Sequence, residues 1–254
     1  MRQEAGPDLK PDVGSVKPGV PRLGRRLLAL AGRVPLGSTV ADIGTDHGLL
    51  PAYLENNGLV RRAIGTDSSS GSLSSAARTR GRCGCNFDLR LGYGLEPLEP
   101  GEADVLVLAG LGGQTIAEVL SAGRAAVASA KLVIAQPMKD LPQFRRWAER
   151  SGFNTPAEDI IREGRRLYNI LMLEGLDGFS PARWDASETG IEHEVGRALL
   201  ANEPDVLLAY LHKRRRTRHA IAAARAGAEP LQAAVDLETM RRIDEHIRLI
   251  EQHT

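Results

Sequence analysis

Apolar positions along the chain change period several times, and each change marks an element. Leu23, Leu27, Leu28, Leu30 and Ala31 recur close to the 3.6-residue period and predict a helix that Pro35 and Gly37 end. STVADIG then reads as a short strand, and Leu49, Leu50, Tyr53 and Leu54 as a helix stopped by Asn57-Gly58. RAIGTD predicts a second strand ending in Asp67, SGSLSSAARTR a weakly amphipathic helix, and FDLRLG a third strand. ADVLVLAG is almost continuously apolar, as expected of a strand covered on both faces of a parallel sheet. GGQTIAEVLSAG predicts a helix, KLVIAQP a fifth strand and LPQFRRWAERSG a further helix. AEDIIREGRRLYNILMLEG breaks the alternation: two strand-like runs flank Glu163-Gly164, which predicts a hairpin.

Strand–helix alternation from Ser38 to Gly152 predicts an α/β fold, an open and mostly parallel sheet with helices on both faces, closed by an antiparallel terminal hairpin. Beyond Gly178 the strand pattern stops. Residues 179–254 predict an all-helical C-terminal domain ending in an antiparallel helix pair, with Gly227 and Pro230 at its turn. Met240, Ile243, Ile247 and Ile250 fall at 3-4-3 spacing, a short coiled-coil seam. The expected division is residues 21–178 for the α/β domain and 179–254 for the helices. A disordered lead-in over residues 1–20, rich in Pro, Gly and mixed charge, precedes them.

Composition narrows the partners. The 254 residues carry 33 Lys and Arg against 32 Asp and Glu, a formal net charge of +1. Attraction to a polyanion therefore has to come from a local basic patch. Cys83 and Cys85 lack the further ligands a zinc site needs and make no disulfide framework, so no metal is expected. Reduced cysteines, the lack of a bilayer-length apolar run and an N-terminus without a signal-peptide core lead to the expectation of a cytoplasmic protein away from membranes.

In an open α/β sheet, ligands bind outside the carboxyl ends of the strands. Those ends here read DIGTDHG, GTD, LGYGLE, AGLGG and QPMKD. Gly44 lets the chain turn close beneath a ligand, while Asp42 and Asp46 place acids where a phosphate-binding loop would avoid them. The pair favours a ligand with positive charge, such as a sulfonium and an ammonium, over a pyrophosphate. Asp46 has two roles open to it, ligand contact and capping of the next helix. Asp67 stands where an acid takes ribose hydroxyls in dinucleotide folds, or merely caps a strand end. Tyr93 either stacks on a base or packs half-buried, and His47 either contacts the ligand or packs at a helix start.

Taken together, LGRRLLALAGRVPLGSTVADIGTDHGLLPAYL, AGLGGQTI, QPMKDLPQFRRWAERSGF and REGRRLYNILM resemble the bacterial tRNA (adenine-22-N1)-methyltransferase family, over about Leu23 to Leu173. The Asp-Ile-Gly-Thr-Asp-His signature with the Gly-Leu-Gly-Gly loop is far more specific than a lone GxGxxG. The resemblance implies a Rossmann-like class I methyltransferase domain, S-adenosylmethionine as donor and tRNA as acceptor. The helical tail fits that family's coiled-coil C-terminal domain, and an antiparallel last strand beside a parallel sheet is how class I methyltransferases end. Carried across by position, Asp42, Gly44, Asp46 and His47 would line the methionine side, with Asp67 on the ribose. Tyr93 would lie by the adenine, and Ala109, Gly110, Leu111, Gly112 and Gly113 next to the transferable methyl. Gln136 and Pro137 match the end of the fifth strand. The chain departs from the family pattern at Leu111, where Met is usual, and at Ser72, which stands in place of proline. It departs again at Tyr93, between Gly92 and Gly94, and at Asn169, where Tyr-Glu-Ile is usual.

N1 of adenine has a free lone pair, so its methylation needs no prior deprotonation and yields a cationic base. Catalysis then rests on alignment and nearby negative charge, with Asp46 the first candidate to steady the product and His47 a base contact. Tyr168 either stacks on the exposed target base or packs within its strand. HKRRRTRH, from His212 to His219, sets five cations in six positions. Arg214 and Arg218 share a helical face, as do Arg215 and Arg218. That predicts contact with tRNA phosphates or, alternatively, a solvated face balanced by acids of the partner helix. Arg25, Arg26, Arg145 and Arg146 would extend the surface. A nicotinamide-dependent oxidoreductase is disfavoured by the acids and the hairpin. A methyltransferase for another RNA position and a noncatalytic RNA-binding protein retaining the fold are the alternatives. Oligomeric state stays open, since the helix pair can fold back within one chain.

Overall fold

The computed structural model describes residues 19–175, 178–185, 191–196 and 203–252. The lead-in expected over residues 1–20 falls almost wholly outside the described residues. Seven strands form one sheet in the order β3-β2-β1-β4-β5-β7-β6. β1 (Ser38–Ile43) lies between β2 (Val60–Asp67) and β4 (Val105–Leu111), with β3 (Asp88–Leu91) beyond β2 and β5 (Leu132–Pro137) beyond β4. These five are parallel. β6 (Asn154–Glu163) and β7 (Arg166–Glu174) form the expected hairpin, and β7 runs antiparallel between β5 and β6. β6, with Pro156 near its start and an irregular register from Asn154 to Ala157, takes the edge, where a missing N–H is tolerated.

Successive residues of a strand face opposite sides, and here the two sides hold separate cores. Leu106 and Leu108 of β4 join Ile116 and Leu120 of α4 (Gly113–Ala122), Val127 of α5 (Arg124–Ser129), and Phe144 and Trp147 of α6 (Leu141–Arg150). Val105 and Val107 join Leu30 of α1 (Arg25–Arg33) and Leu50 and Leu54 of α2 (Leu49–Asn56). β1 is consequently buried along its whole length. α3 (Ser70–Cys83) connects β2 to β3 and ends at Gly84. Beyond the helix expected over GGQTIAEVLSAG, α5 is a further element that the pattern did not predict, because six residues span under two helical turns and carry no periodic signal.

The tail contains α7 (Ile191–Val195), α8 (Pro204–Arg225) and α9 (Pro230–Glu251) among the described residues. Both long helices open with proline in the first turn, where its missing N–H costs nothing. They run antiparallel: Arg225 meets Glu229 and Asp236 near the turn, Arg218 meets Asp236, and farther along Arg215 meets Asp244. Ile243 and Ile247 of α9 pack with Leu207, Tyr210 and Leu211 of α8, Ile191 and Val195 of α7, and Ile160 of β6. Asp236 and Thr239 are buried on α9 as well, so its inner stripe turns polar toward the loop.

Arg145 of α6 fastens the tail to the sheet. Its Nε and Nη2 donate to Glu158 of β6 at 3.0 and 2.5 Å, and Nη1 donates to the carbonyls of His193 and Glu194 and to the Tyr210 hydroxyl. Burial works against the charge, but Glu158 and Tyr210 outweigh it and hold the guanidinium above its ordinary range.

A cleft at the carboxyl ends of the strands

The carboxyl ends of β1, β2 and β4 open onto a cleft of about 680 Å³. Asp42, Gly44, Asp46, His47, Asp67, Tyr93, Ala109, Gly110 and Leu111 all line it. Asp42 lies on the central strand and is only 7 % exposed. Burial raises its carboxyl from 3.8 to about 6, Thr45 and the Arg26 guanidinium oppose the rise, and Asp67 adds to it. The Thr45 hydroxyl, also buried at the cleft, has no partner in hydrogen-bond geometry. Gly44 follows at φ 75°, and only Leu111 would come within 4 Å of a Cβ there, so the left-handed turn leaves space above it.

Asp67 organises the neighbouring loops. Its Oδ2 accepts the backbone N–H of Asp46 at 3.1 Å, and its Oδ1 accepts that of Ser69 at 2.9 Å. Asp46 takes a left-handed φ of 51°, a region where Asp and Asn are the least disfavoured side chains after glycine. The capping role open to Asp46 is not realised: the N-cap of α2 is Gly48, at φ 64°, and no side chain bonds there. Asp46 and His47 stand 3.6 Å apart at the lip with side chains 65 % and 62 % exposed, too open for a strong pair. Tyr93 is 47 % exposed, so it is a cleft residue and not a core one.

The loop after β4 divides in use. Gly110, at φ 82°, turns the chain at the cleft wall beside Ala109 and Leu111. Gly112 and Gly113 leave the wall. A Cβ on Gly113 would stand 3.0 Å from the carbonyl oxygens of Lys139 and Asp140 and 3.1 Å from Phe144, so this glycine serves the contact of α4 with α6.

A basic wall faces the acidic one. Arg26 of α1 donates through Nη1 to Gln136 Oε1 at 2.9 Å and stacks its guanidinium 5.6 Å from the centre of the Tyr168 ring. Gln136, fully buried at the end of β5, in turn points Nε2 at the Met138 sulfur. Arg166 and Tyr168 of β7 complete this side. Ser72, where the chain departs from the family pattern, and Met138 of the QPMKD strand end also line the cleft, together with Thr115 and Ser68, which carried no distinguishing sequence signal.

Three of the cations of residues 212–219 take up structural duties, while Lys213 and Arg216 are exposed. Arg218 is 3 % exposed; it bonds both Glu194 of α7 and Asp236 of α9. Arg214 bonds Glu194 at 2.6 Å, and Arg215 meets Asp244 at 2.7 Å. The shared exposed face expected for Arg214 and Arg218 is therefore corrected: a buried acid from α7, distant in sequence, draws both inward. Arg145 is buried as described, and Arg146 pairs with Asp185, whereas Arg25 is exposed. Among the described residues, no group of three or more His, Cys, Asp or Glu is arranged to hold a metal, and no helix is long and apolar enough to cross a membrane.

A Rossmann-like sheet of this order, with acids at the ends of its first two strands, is the architecture of a methyltransferase domain, and the family model described as a methyltransferase domain matches residues 23–171. Over 177 residues the chain is 33 % identical to the tRNA (adenine(22)-N(1))-methyltransferase of Bacillus subtilis (strain 168), spanning 69 % of this chain and 72 % of that protein. It belongs to the tRNA (adenine(22)-N(1))-methyltransferase family. The crystal structure of the B. subtilis m1A22 tRNA methyltransferase superposes with a TM-score of 0.69 at 25 % identity, over 91 % of this chain and 98 % of that one. The fold is shared with the M. capricolum enzyme in complex with S-adenosyl-homocysteine, at a TM-score of 0.69 and 21 % identity, over 90 % of this chain and 99 % of that one.

Proposed function

We propose that this protein transfers a methyl group from S-adenosylmethionine to N1 of adenine 22 in tRNA, in the cytoplasm. Residues 21–178 form the catalytic domain and residues 179–254 the helical domain. Asp42 carries the reading: a carboxyl buried at the head of the cleft, held near 6 and lacking a firm cationic partner, suits a ligand that brings positive charge. The open space above Gly44 fits the same ligand.

Asp42, Gly44, Asp46 and His47 receive its methionine end, Asp67 offers the lone pairs not used by Asp46 and Ser69 to the ribose, and Tyr93 presents an exposed ring to the adenine. Ala109, Gly110 and Leu111 shape the wall where donor and acceptor meet. S-adenosylmethionine, when bound, supplies a methyl group on a positively charged sulfur. The chain's own work is to align the acceptor nitrogen with that group and keep water out. No residue has to remove a proton from adenine N1, whose lone pair is free to attack. Asp46, at the lip, offers negative charge to the cationic product.

Mass spectrometry of tRNA from cells with and without the protein tests the reading, with loss of 1-methyladenosine on deletion as the expected result. An unchanged modification profile would overturn it. Calorimetry with S-adenosyl-homocysteine and with NAD separates this reading from that of a nicotinamide enzyme.

A further inference from the structure

With a net charge of +1, the surface as a whole does not attract nucleic acid, and several of its arginines are taken up by carboxylates. Arg33 pairs with Asp159, Arg61 with Asp104, Arg90 with Glu102, Arg215 with Asp244 and Arg241 with Glu238. One region differs. The N-terminus of α1 lies against the β6–β7 turn, where Glu163 accepts the backbone N–H of Arg26 at 3.3 Å. That carboxylate is occupied with the helix end. Arg25 and Arg165 are exposed on either side of this junction, and Arg166 is exposed beside them, each without an ion-pair partner among the described residues. Arg26 and Arg166 continue the same charge into the cleft, next to Tyr168.

The cleft therefore has opposite polarity at its two sides: Asp42, Asp46 and Asp67 at the ends of β1 and β2, arginines at α1 and β7. We infer that Arg25, Arg165 and Arg166 form the landing site for the phosphodiester backbone of the RNA around the target base, so that the base enters from the Tyr168 side and meets the donor across the cleft. This rests on the proposed tRNA acceptor and deepens it by assigning the RNA surface to the rim of the α/β domain. Three of the α8 cations are already engaged, Arg214 and Arg218 by Glu194, Arg218 also by Asp236, and Arg215 by Asp244, while Lys213 and Arg216 stay exposed outside this rim. Arginine suits the task, since its fork reads phosphate oxygens in pairs and never loses its charge.

The test is binding of unmodified tRNA transcript to the full chain at several salt concentrations, with S-adenosyl-homocysteine titration as the control. R25E/R165E reverses two exposed cations that do not line the cleft. It is expected to weaken tRNA binding roughly ten-fold or more and to flatten the salt dependence by about two released counterions. KM for tRNA should rise while S-adenosyl-homocysteine binding stays within two-fold, roughly. R25K/R165K should retain the parent's salt slope. Unchanged tRNA affinity and slope in R25E/R165E, with donor-product binding intact, would overturn the inference. If R25E/R165E lost S-adenosyl-homocysteine as well, the neutral R25Q/R165Q decides: a flattened slope supports the rim and an unchanged one rejects it. A parent protein that binds tRNA but methylates none would sink the proposed reaction and leave the rim standing. A parent that binds no tRNA would sink both.

Discussion

Asp67 at the end of β2 accepts the backbone N–H of Asp46 in the loop after β1, across 3.1 Å. One carboxylate thereby fixes the position of a second, at a loop whose φ of 51° is unfavourable for anything but glycine or a short polar residue. Asp67→Ala releases both Asp46 and Ser69, so two effects are expected together. Affinity for S-adenosyl-homocysteine should fall at least about ten-fold, and stability by roughly 1–2 kcal/mol. Calorimetry and urea denaturation on the same preparation read both, and a stable variant with undiminished affinity would remove Asp67 from the site.

Asp42→Asn should separate stability from binding. The folded carboxyl sits at about 6 against 3.8 for the ordinary group, so its ionisation opposes folding. The sign follows: the cost is absent below about pH 4, grows as pH rises toward 6, and is full above it, at roughly 3 kcal/mol. The amide variant should therefore be more stable than the parent at pH 7.5, and that advantage should vanish toward pH 4 in denaturant titrations. At the same time its affinity for S-adenosylmethionine should drop. In the parent, donor affinity should weaken as pH falls through about 6, because a cationic ligand needs the carboxylate ionised.

Arg218 provides a clean separation of RNA contact from architecture. Its removal takes a buried guanidinium from Glu194 and Asp236, which keep Arg214 and Arg225, so Arg218→Ala should cost roughly 1–3 kcal/mol by chemical denaturation. Arg216→Ala, at an exposed position of the same helix, should change stability by under about 0.5 kcal/mol. Equal effects from the two would contradict the buried network.

Arg145→Met tests the attachment of the tail. The substitution takes the guanidinium from Glu158, whose side chain is 1 % exposed and keeps a bond from the Asn169 amide, and removes the donor to the His193 and Glu194 carbonyls. Hydrogen exchange is expected to show faster opening of α7, α8 and β6, with the central strands β1 and β4 still protected. Uniform loosening of the whole sheet would show instead that tail and sheet unfold as one.

The sheet was legible because its signals are local. ADVLVLAG could only be a covered strand, and the run through Glu163-Gly164 placed β7 antiparallel without any long-range information. Acidic strand ends located the cleft for a similar reason: position after a strand fixes position on the rim. What stayed hidden depends on pairs distant in sequence. Arg26 looked like a surface cation until Gln136, 110 residues away, supplied its acceptor. Arg218 looked like an RNA contact until Glu194 and Asp236 enclosed it. The packing role of Gly113 showed only once Lys139, Asp140 and Phe144 came within a methyl's distance of it. Charge and glycine are ambiguous alone, and only the partner decides between solvent, ligand and core.

β7 enters the sheet between β5 and β6 although it is the last strand made. On a ribosome, the strands bearing Asp42 and Asp67 are complete well before residue 166 leaves the tunnel, whereas Arg166 and Tyr168 arrive only with the final hairpin. The nascent chain thus owns its carboxylate-bearing half early and gains its cationic half late, so a product stopped short of β7 would lack the flank where a nucleic acid is to dock.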